Sequence, residues 1–93
     1  MGYPLSILKK WTNARQYGQL DPFIEELYYD TRIIHRAEQG IFIALVSSRI
    51  DGHDFVDQAR LKGIKTFLVE RPIALEDDEV ALVVPNTLEA LQK

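Results

Sequence analysis

Cysteine is absent from the 93 residues, so disulfide staples, thiolate zinc sites and cysteine nucleophiles are excluded, and the cytoplasm is the expected compartment. No apolar run approaches the roughly 20 residues of a membrane span. Met1 to Trp11 also lacks the basic region and long apolar stretch of a secretory leader. Positive charge is outnumbered, with 11 Lys and Arg against 14 Asp and Glu and a net charge of −3, which leaves no electrostatic footprint for a nucleic-acid backbone. Glycine-rich loops are missing as well. No stretch ends in Gly-Lys-Ser or Gly-Lys-Thr, no glycine trio follows a predicted strand and no serine sits in a nucleophile elbow, so an ATP loop and a serine nucleophile are not expected here. His35 and His53 share no helical spacing, and with Asp51 and Asp54 they make a poor metal set. No catalytic residue and no metal ligand is assigned.

What remains is an ordinary globular composition, 46% hydrophobic and 27% charged, at a length that supports one domain and one core. Leu5, Leu8 and Trp11 recur every third position behind Pro4, which predicts a short helix to Asn13 with Trp11 as a core anchor. Asn13 to Pro22 reads as a loop with weak strand content. Phe23 to Tyr29 reads as extended and ends in the polar tip Asp30-Thr31-Arg32, although Glu25-Glu26 also permits helix. Gly40 then introduces Ile41 to Val46, the apolar run expected of a central strand covered on both faces. Ser47 to Gly52 is a polar loop, Asp54 to Lys62 a helix with Phe55, Val56 and Ala59 on one face, and Gly63 its stop. Thr66 to Glu70 follows as a strand, which completes a βαβ unit with parallel strands.

Pro72 to Glu79 reads as an acidic turn, with Glu76-Asp77-Asp78-Glu79 solvated, and Val80 to Val84 as a third buried strand stopped by Pro85. Asn86 can cap a last helix, with Glu89 completing a capping box and Leu88 and Leu91 on its apolar side. The fold class that follows is α/β: a small mixed, largely parallel sheet with flanking helices, in a single domain over 1–93. A stop at Lys93, soon after that helix begins, reads as the amino-terminal fragment of a longer multidomain protein.

Ligands of open α/β sheets sit beyond the carboxyl ends of the strands, and here that edge is formed by Ser47-Ser48-Arg49-Ile50-Asp51-Gly52-His53-Asp54. Two hydroxyls and an arginine ahead of a helix suit a phosphorylated ligand. The plainer alternative is that Ser47, Ser48 and Asp54 cap the helix, that Arg49 is solvated, and that Asp30 and Arg32 simply pair at a strand end. Asp51-Gly52 reads as a tight turn in which Gly52 supplies a positive φ and Asp51 bonds the backbone ahead of it. His53 is then a packing residue.

The order of these pieces resembles the amino-terminal domain of the Mur ligases, the ATP-dependent enzymes that build the peptide of bacterial cell-wall precursors. That domain shows an Asp-Ser/Thr-Arg motif, then Gly and an apolar Phe-containing strand ending Ala-Leu, then a loop ending Asp-Gly-His before a helix. Asp30-Thr31-Arg32, Gly40 through Leu45 and Asp51-Gly52-His53-Asp54-Phe55 fit that order. Ala59, Gly63, the strand at Phe67 to Glu70, Val83-Val84, Asn86-Thr87-Leu88 and Ala90-Leu91 continue it over most of the chain. Within the family the phrasing is most similar to the ligase that adds D-alanyl-D-alanine to UDP-N-acetylmuramoyl-tripeptide, including a form fused to alanine racemase.

The resemblance implies a cytoplasmic bacterial protein of peptidoglycan synthesis whose first domain binds the uridine diphosphate of a UDP-N-acetylmuramoyl-peptide. ATP and Mg would belong to a central domain outside this chain, together with the remaining domains of the parent ligase. Thr31 and Arg32 would lie against uracil and ribose, Ser47, Ser48 and Arg49 would face the nucleotide, and Asn86 would be nearby. Asp51, Gly52, His53 and Asp54 would shape the turn and helix cap beside them. One departure stands out: where many members have Lys-Gly, this chain has Val46-Ser47. Two other readings follow from the residues, an interaction domain of the same fold with a degenerate nucleotide site, and a small enzyme using His53 and Asp54 as an acid/base pair.

Overall fold

Successive side chains of a strand point to opposite faces, and the apolar strands of this chain bury both. The computed structural model describes residues 2–91. Met1, Gln92 and Lys93, and with them the sequence reading of the two chain ends, lie outside the described residues. The chain runs β1 (Tyr3–Pro4), α1 (Leu5–Thr12), β2 (Arg15–Tyr17), β3 (Phe23–Ile24), β4 (Glu26–Tyr28), β5 (Gly40–Ile43), α2 (Val56–Leu61), β6 (Thr66–Val69), β7 (Val80–Val83) and α3 (Thr87–Leu91). Single 3-10 turns lie at Thr31–Ile33, Ala37–Gln39 and Gly52–Phe55. Five strands form one sheet in the order β2-β7-β6-β5-β4. β4, β5, β6 and β7 are parallel neighbours, and β2 pairs antiparallel with β7. The expected α/β class and the parallel β5–α2–β6 unit are both present.

Alternation sorts the core into two halves. Phe42, Ala44, Phe67, Val69 and Ala81 meet Val56 and Ala59 of α2 on one face. Ile41, Ile43, Leu68, Val80 and Leu82 meet Leu5 of α1 on the other, with Ala90 and Leu91 of α3 packed against them. A helix layer on each side is what parallel strands need, since their crossovers place helices on the faces.

Several elements differ from the sequence reading, each for a physical reason. Trp11 is no core anchor: it is 53% exposed and rests edge-on against Tyr3 at 4.9 Å. A three-residue spacing slips on a helix of 3.6 residues per turn, so by Trp11 the stripe has rotated about 120° from Leu5. The segment from Phe23 to Tyr29 is extended but serves two sheets, β3 pairing with β1 and β4 with β5. The strand from Gly40 is shorter than read and is not central. It stops at Ile43, where the Leu45 amide donates back to the Ile43 carbonyl at 3.0 Å in a tight turn, and the addition of β2 beyond β7 makes β6 the middle strand.

The helix after the loop begins as a 3-10 turn, which rotates Phe55 out to 39% exposure while Val56 and Ala59 stay buried. Gly63 ends it with φ +102°, as expected. Glu79 is not solvated. It is 3% exposed, and both of its carboxylate oxygens lie 3.0 Å from Arg60 Nε. Asn86 caps α3 by accepting from the Glu89 amide at 2.9 Å, but Leu88 faces outward and Thr87 is the buried residue of that helix.

Candidate functional site

The four parallel strands end on one edge, and the segments leaving β4, β5 and β7 enclose a cleft of about 590 Å³ there. Leu45, Ile50, Phe55 and Leu88 give it apolar walls, and Thr31, Arg32, Ser47 and Gln58 supply polar groups. Apolar walls with a few directed polar groups are the usual makeup of a small-molecule site. A smaller cavity of about 290 Å³ lies on the other sheet face, and among its described lining residues the one charged group is Glu25, of the wrong sign for a phosphate.

Asp30 caps the Thr31–Ile33 turn by accepting from the Arg32 amide at 2.9 Å, and its carboxylate grips the Arg32 guanidinium at 3.0 and 2.8 Å. These bonds hold the Asp30 carboxyl at about 2, from an ordinary 3.8, with the Arg32 side chain as the first cause. The fork uses two of the five guanidinium N–H groups, so three stay available to a ligand. The Thr31 hydroxyl donates to Gln58 Oε1 at 3.0 Å, which ties this turn to α2.

The loop after β5 is a small hairpin closed by a Val46–Asp51 bridge. Ser47 braces its tip, its hydroxyl oxygen accepting from the amides of Arg49 and Ile50 and its own amide donating to the Ile50 carbonyl at 2.8 Å. Neither Ser47 nor Ser48 caps the following helix. Nor does Asp54: α2 has no side-chain cap, and Asp51 instead caps the Gly52–Phe55 turn that leads into it, accepting from the His53 amide at 2.9 Å. Gly52 has no positive φ, contrary to the sequence reading. Its glycine is required by contact instead, because a Cβ there would stand 2.6 Å from Leu45 N. The Gly52 amide donates to the Leu45 carbonyl at 2.7 Å, pressing the turn onto the end of β5.

Behind the loop, polar groups join the ends of β5 and β6 to the start of α3. His53 has a side chain only 4% exposed. Its Nδ1 lies 2.6 Å from Asp51 Oδ1, and its Nε2 accepts from the Glu70 amide at 3.0 Å. The ring is turned away from the cleft, whose lining does not include it, and so is not presented to a ligand there, which counts against the acid/base reading of His53 and Asp54. The Glu70 carboxylate takes the amide of Thr87 at 2.8 Å, and the Thr87 hydroxyl donates to the Ala44 carbonyl at 2.9 Å. Asp51 also receives Arg71 at 2.9 Å. Its carboxyl sits at about 2, down from 3.8, chiefly through the His53 amide, then the His53 ring and Arg71.

Of the residues singled out from the sequence, Thr31, Arg32, Ser47 and Gly52 line the cleft together. Ser48 and Arg49 stand exposed at the hairpin tip, outside the lining, and no ion pair joins Arg49 to an acidic side chain among the described residues. Asn86 is occupied as a helix cap. Asp51 and His53 form the support behind the loop, and Asp54 is exposed. Tyr29, Phe55, Gln58 and Leu88 also line the cleft. Sequence reasoning passed over them because three are apolar or aromatic and were read as strand or core, and Gln58 carries no charge.

No family model matches the chain. Among curated proteins it is similar to the UDP-N-acetylmuramoyl-L-alanyl-D-glutamate–2,6-diaminopimelate ligase of Clostridium perfringens, with 31% identity over 90 residues, 91% of this chain and 18% of that protein. The UDP-N-acetylmuramoyl-tripeptide–D-alanyl-D-alanine ligase of Rickettsia prowazekii is 32% identical over 68 residues, 73% of this chain and 14% of that protein. The solved structure of MurF from Acinetobacter baumannii superposes with a TM-score of 0.84 at 30% identity, covering 98% of this chain and 20% of that one. The chain thus spans a fifth or less of the length of these relatives. Among the described residues no helix is long and apolar enough to cross a membrane.

Proposed function

Because this chain belongs to the Mur ligase family, we propose that its carboxyl-edge cleft holds the uridine diphosphate end of UDP-N-acetylmuramoyl-tripeptide for a cytoplasmic ligase that adds D-alanyl-D-alanine. The observation that carries this reading is the cleft's makeup. Phe55 offers a flat ring and Leu88 an apolar side chain to a base, and Arg32 at the rim keeps N–H groups that its fork with Asp30 does not use and that an anion can take. Arg49 adds a second cation at the hairpin tip. ATP and magnesium belong, in this reading, to other domains of the parent ligase. The sequence has no phosphate-binding glycine loop, and among the described residues no group of three or more His, Asp or Glu could hold a metal. In this reading the residues of this chain bind and orient, and the bond-making groups come from elsewhere.

Calorimetry with UDP-N-acetylmuramoyl-tripeptide tests the proposal. The expected outcome is measurable binding that Arg32→Ala weakens about tenfold, the effect of losing one charge-assisted hydrogen bond. Absence of binding at millimolar ligand, both to this chain and to a ligase that contains it, would overturn it. The interaction-domain reading rests on Ser47 in place of a glycine. Ser47 has no positive φ, and its hydroxyl oxygen braces its own turn, so the position does not demand a glycine. Uridine affinity unchanged by both Arg32→Ala and Arg49→Ala would favour that rival.

A further inference from the structure

We infer that His53 is the positioning residue of the cleft, fixing the Gly52 turn as its Nδ1–H tautomer, and that placing a second proton on its ring releases the turn. The tautomer follows from the partners. A backbone amide is always a donor, so the Nε2 that faces the Glu70 amide at 3.0 Å has to be the bare nitrogen. The single ring proton is therefore on Nδ1, where it is donated to Asp51 Oδ1 at 2.6 Å. His53 thus joins the end of β6 to the residue that caps its own turn.

That turn is part of the ligand site. Gly52 lines the cleft and is pressed onto Ala44 and Leu45 so closely that no Cβ would fit. Asp51 closes the hairpin opposite Val46, another lining residue. Any movement of the ring therefore moves the floor and one wall.

A proton on Nε2 would set two N–H donors face to face, with no acceptor between them. The charged groups around the ring are few. Asp51 faces it on its own segment, and Arg71, from the segment after β6, reaches the other oxygen of Asp51. The Glu70 carboxylate is turned away toward Thr87, and Asp54 is exposed. Asp51 still attracts an imidazolium, so the ring would leave Glu70 and carry the Asp51–Gly52 turn with it. Binding at the cleft is in this way linked to one proton. Only this ligand effect rests on the nucleotide reading above; the tautomer and the movement of the turn stand apart from it.

Nuclear magnetic resonance on the full chain tests both parts. Long-range nitrogen–proton correlation of the ring should show protonated Nδ1, and as the pH is lowered the Gly52 and Glu70 amide signals should move together with the ring's own resonances. Uridine diphosphate affinity should fall about tenfold as the ring charges, the loss of about one hydrogen bond's worth of binding. His53→Gln, whose carbonyl can accept from Glu70 but takes up no proton, should bind without the pH dependence of the wild type. An Nε2–H tautomer, or Gly52 and Glu70 amides indifferent to the titration, would overturn the inference. So would a His53→Gln chain with the pH profile of the wild type. If the wild type binds no uridine diphosphate at any pH, the nucleotide reading fails and the amide signals alone decide the role of His53.

Discussion

Thr87 is fully buried and polar, and both its amide and its hydroxyl are engaged. Its amide donates to the Glu70 carboxylate and its hydroxyl to the Ala44 carbonyl, so one side chain joins the ends of β5, β6 and α3. Thr87→Val keeps the shape and removes the hydroxyl, leaving the Ala44 carbonyl without that donor. Urea unfolding should show a loss of about 1–3 kcal/mol, the desolvation cost of an unsatisfied buried group. Asp51 makes a different prediction. Its carboxyl is held at about 2 in the folded chain against 3.8 when free. A lowered carboxyl contributes stability that is complete above about pH 4 and fades as the pH falls toward 2. Asp51→Asn should therefore flatten the dependence of unfolding midpoint on pH across that acid window, as read by circular dichroism. An unchanged slope would show that the Asp51 contacts do not hold the folded state.

Among the elements, the segment between β6 and β7 is governed by one ion pair. Arg60 on α2 meets the buried Glu79 carboxylate, pairs with Asp57 at 2.9 Å, donates to the Ala74 carbonyl and lies over the Phe67 ring. Glu79 also receives the Glu76 amide at 3.0 Å. Arg60→Met keeps the packing stem and strands the carboxylate, so a loss of about 3 kcal/mol is expected at pH 7. Adding Glu79→Gln should recover part of it, which a double-mutant cycle would measure. This element also shows where sequence reasoning stops. The parallel unit was legible because Ile41 to Ala44 and Thr66 to Val69 are apolar runs flanking a helix that Gly63 terminates. Four acidic residues in a row carry no sign that the last is buried, since its cation lies 19 positions away. The cleft was legible in the same uneven way: Asp30-Thr31-Arg32 and the loop after β5 announce themselves by polarity. Phe55 was assigned inward because a 3-10 turn, invisible in periodicity, precedes α2.

Across the whole molecule β6 has a strand on either side and a helix layer on either face. Its amides have no route to solvent short of global unfolding, so hydrogen exchange should be slowest at Phe67, Leu68 and Val69, and faster by orders of magnitude in β2 and β4 at the edges. Phe67→Ala empties a fully buried site at about 3–5 kcal/mol. That is a large share of the roughly 5–15 kcal/mol that holds a domain together, so the unfolding midpoint read by circular dichroism should fall steeply. The cleft is bounded by residues from four separated stretches, around Thr31, Ser47, Gln58 and Leu88. Such a site has no partial form: no excised peptide contains it, and a chain that has come apart anywhere in the sheet has lost it. A molecule that fills it therefore favours the assembled state alone, and at one hundred times its dissociation constant it adds about 2.7 kcal/mol to stability, so melting temperature becomes a direct assay for occupancy.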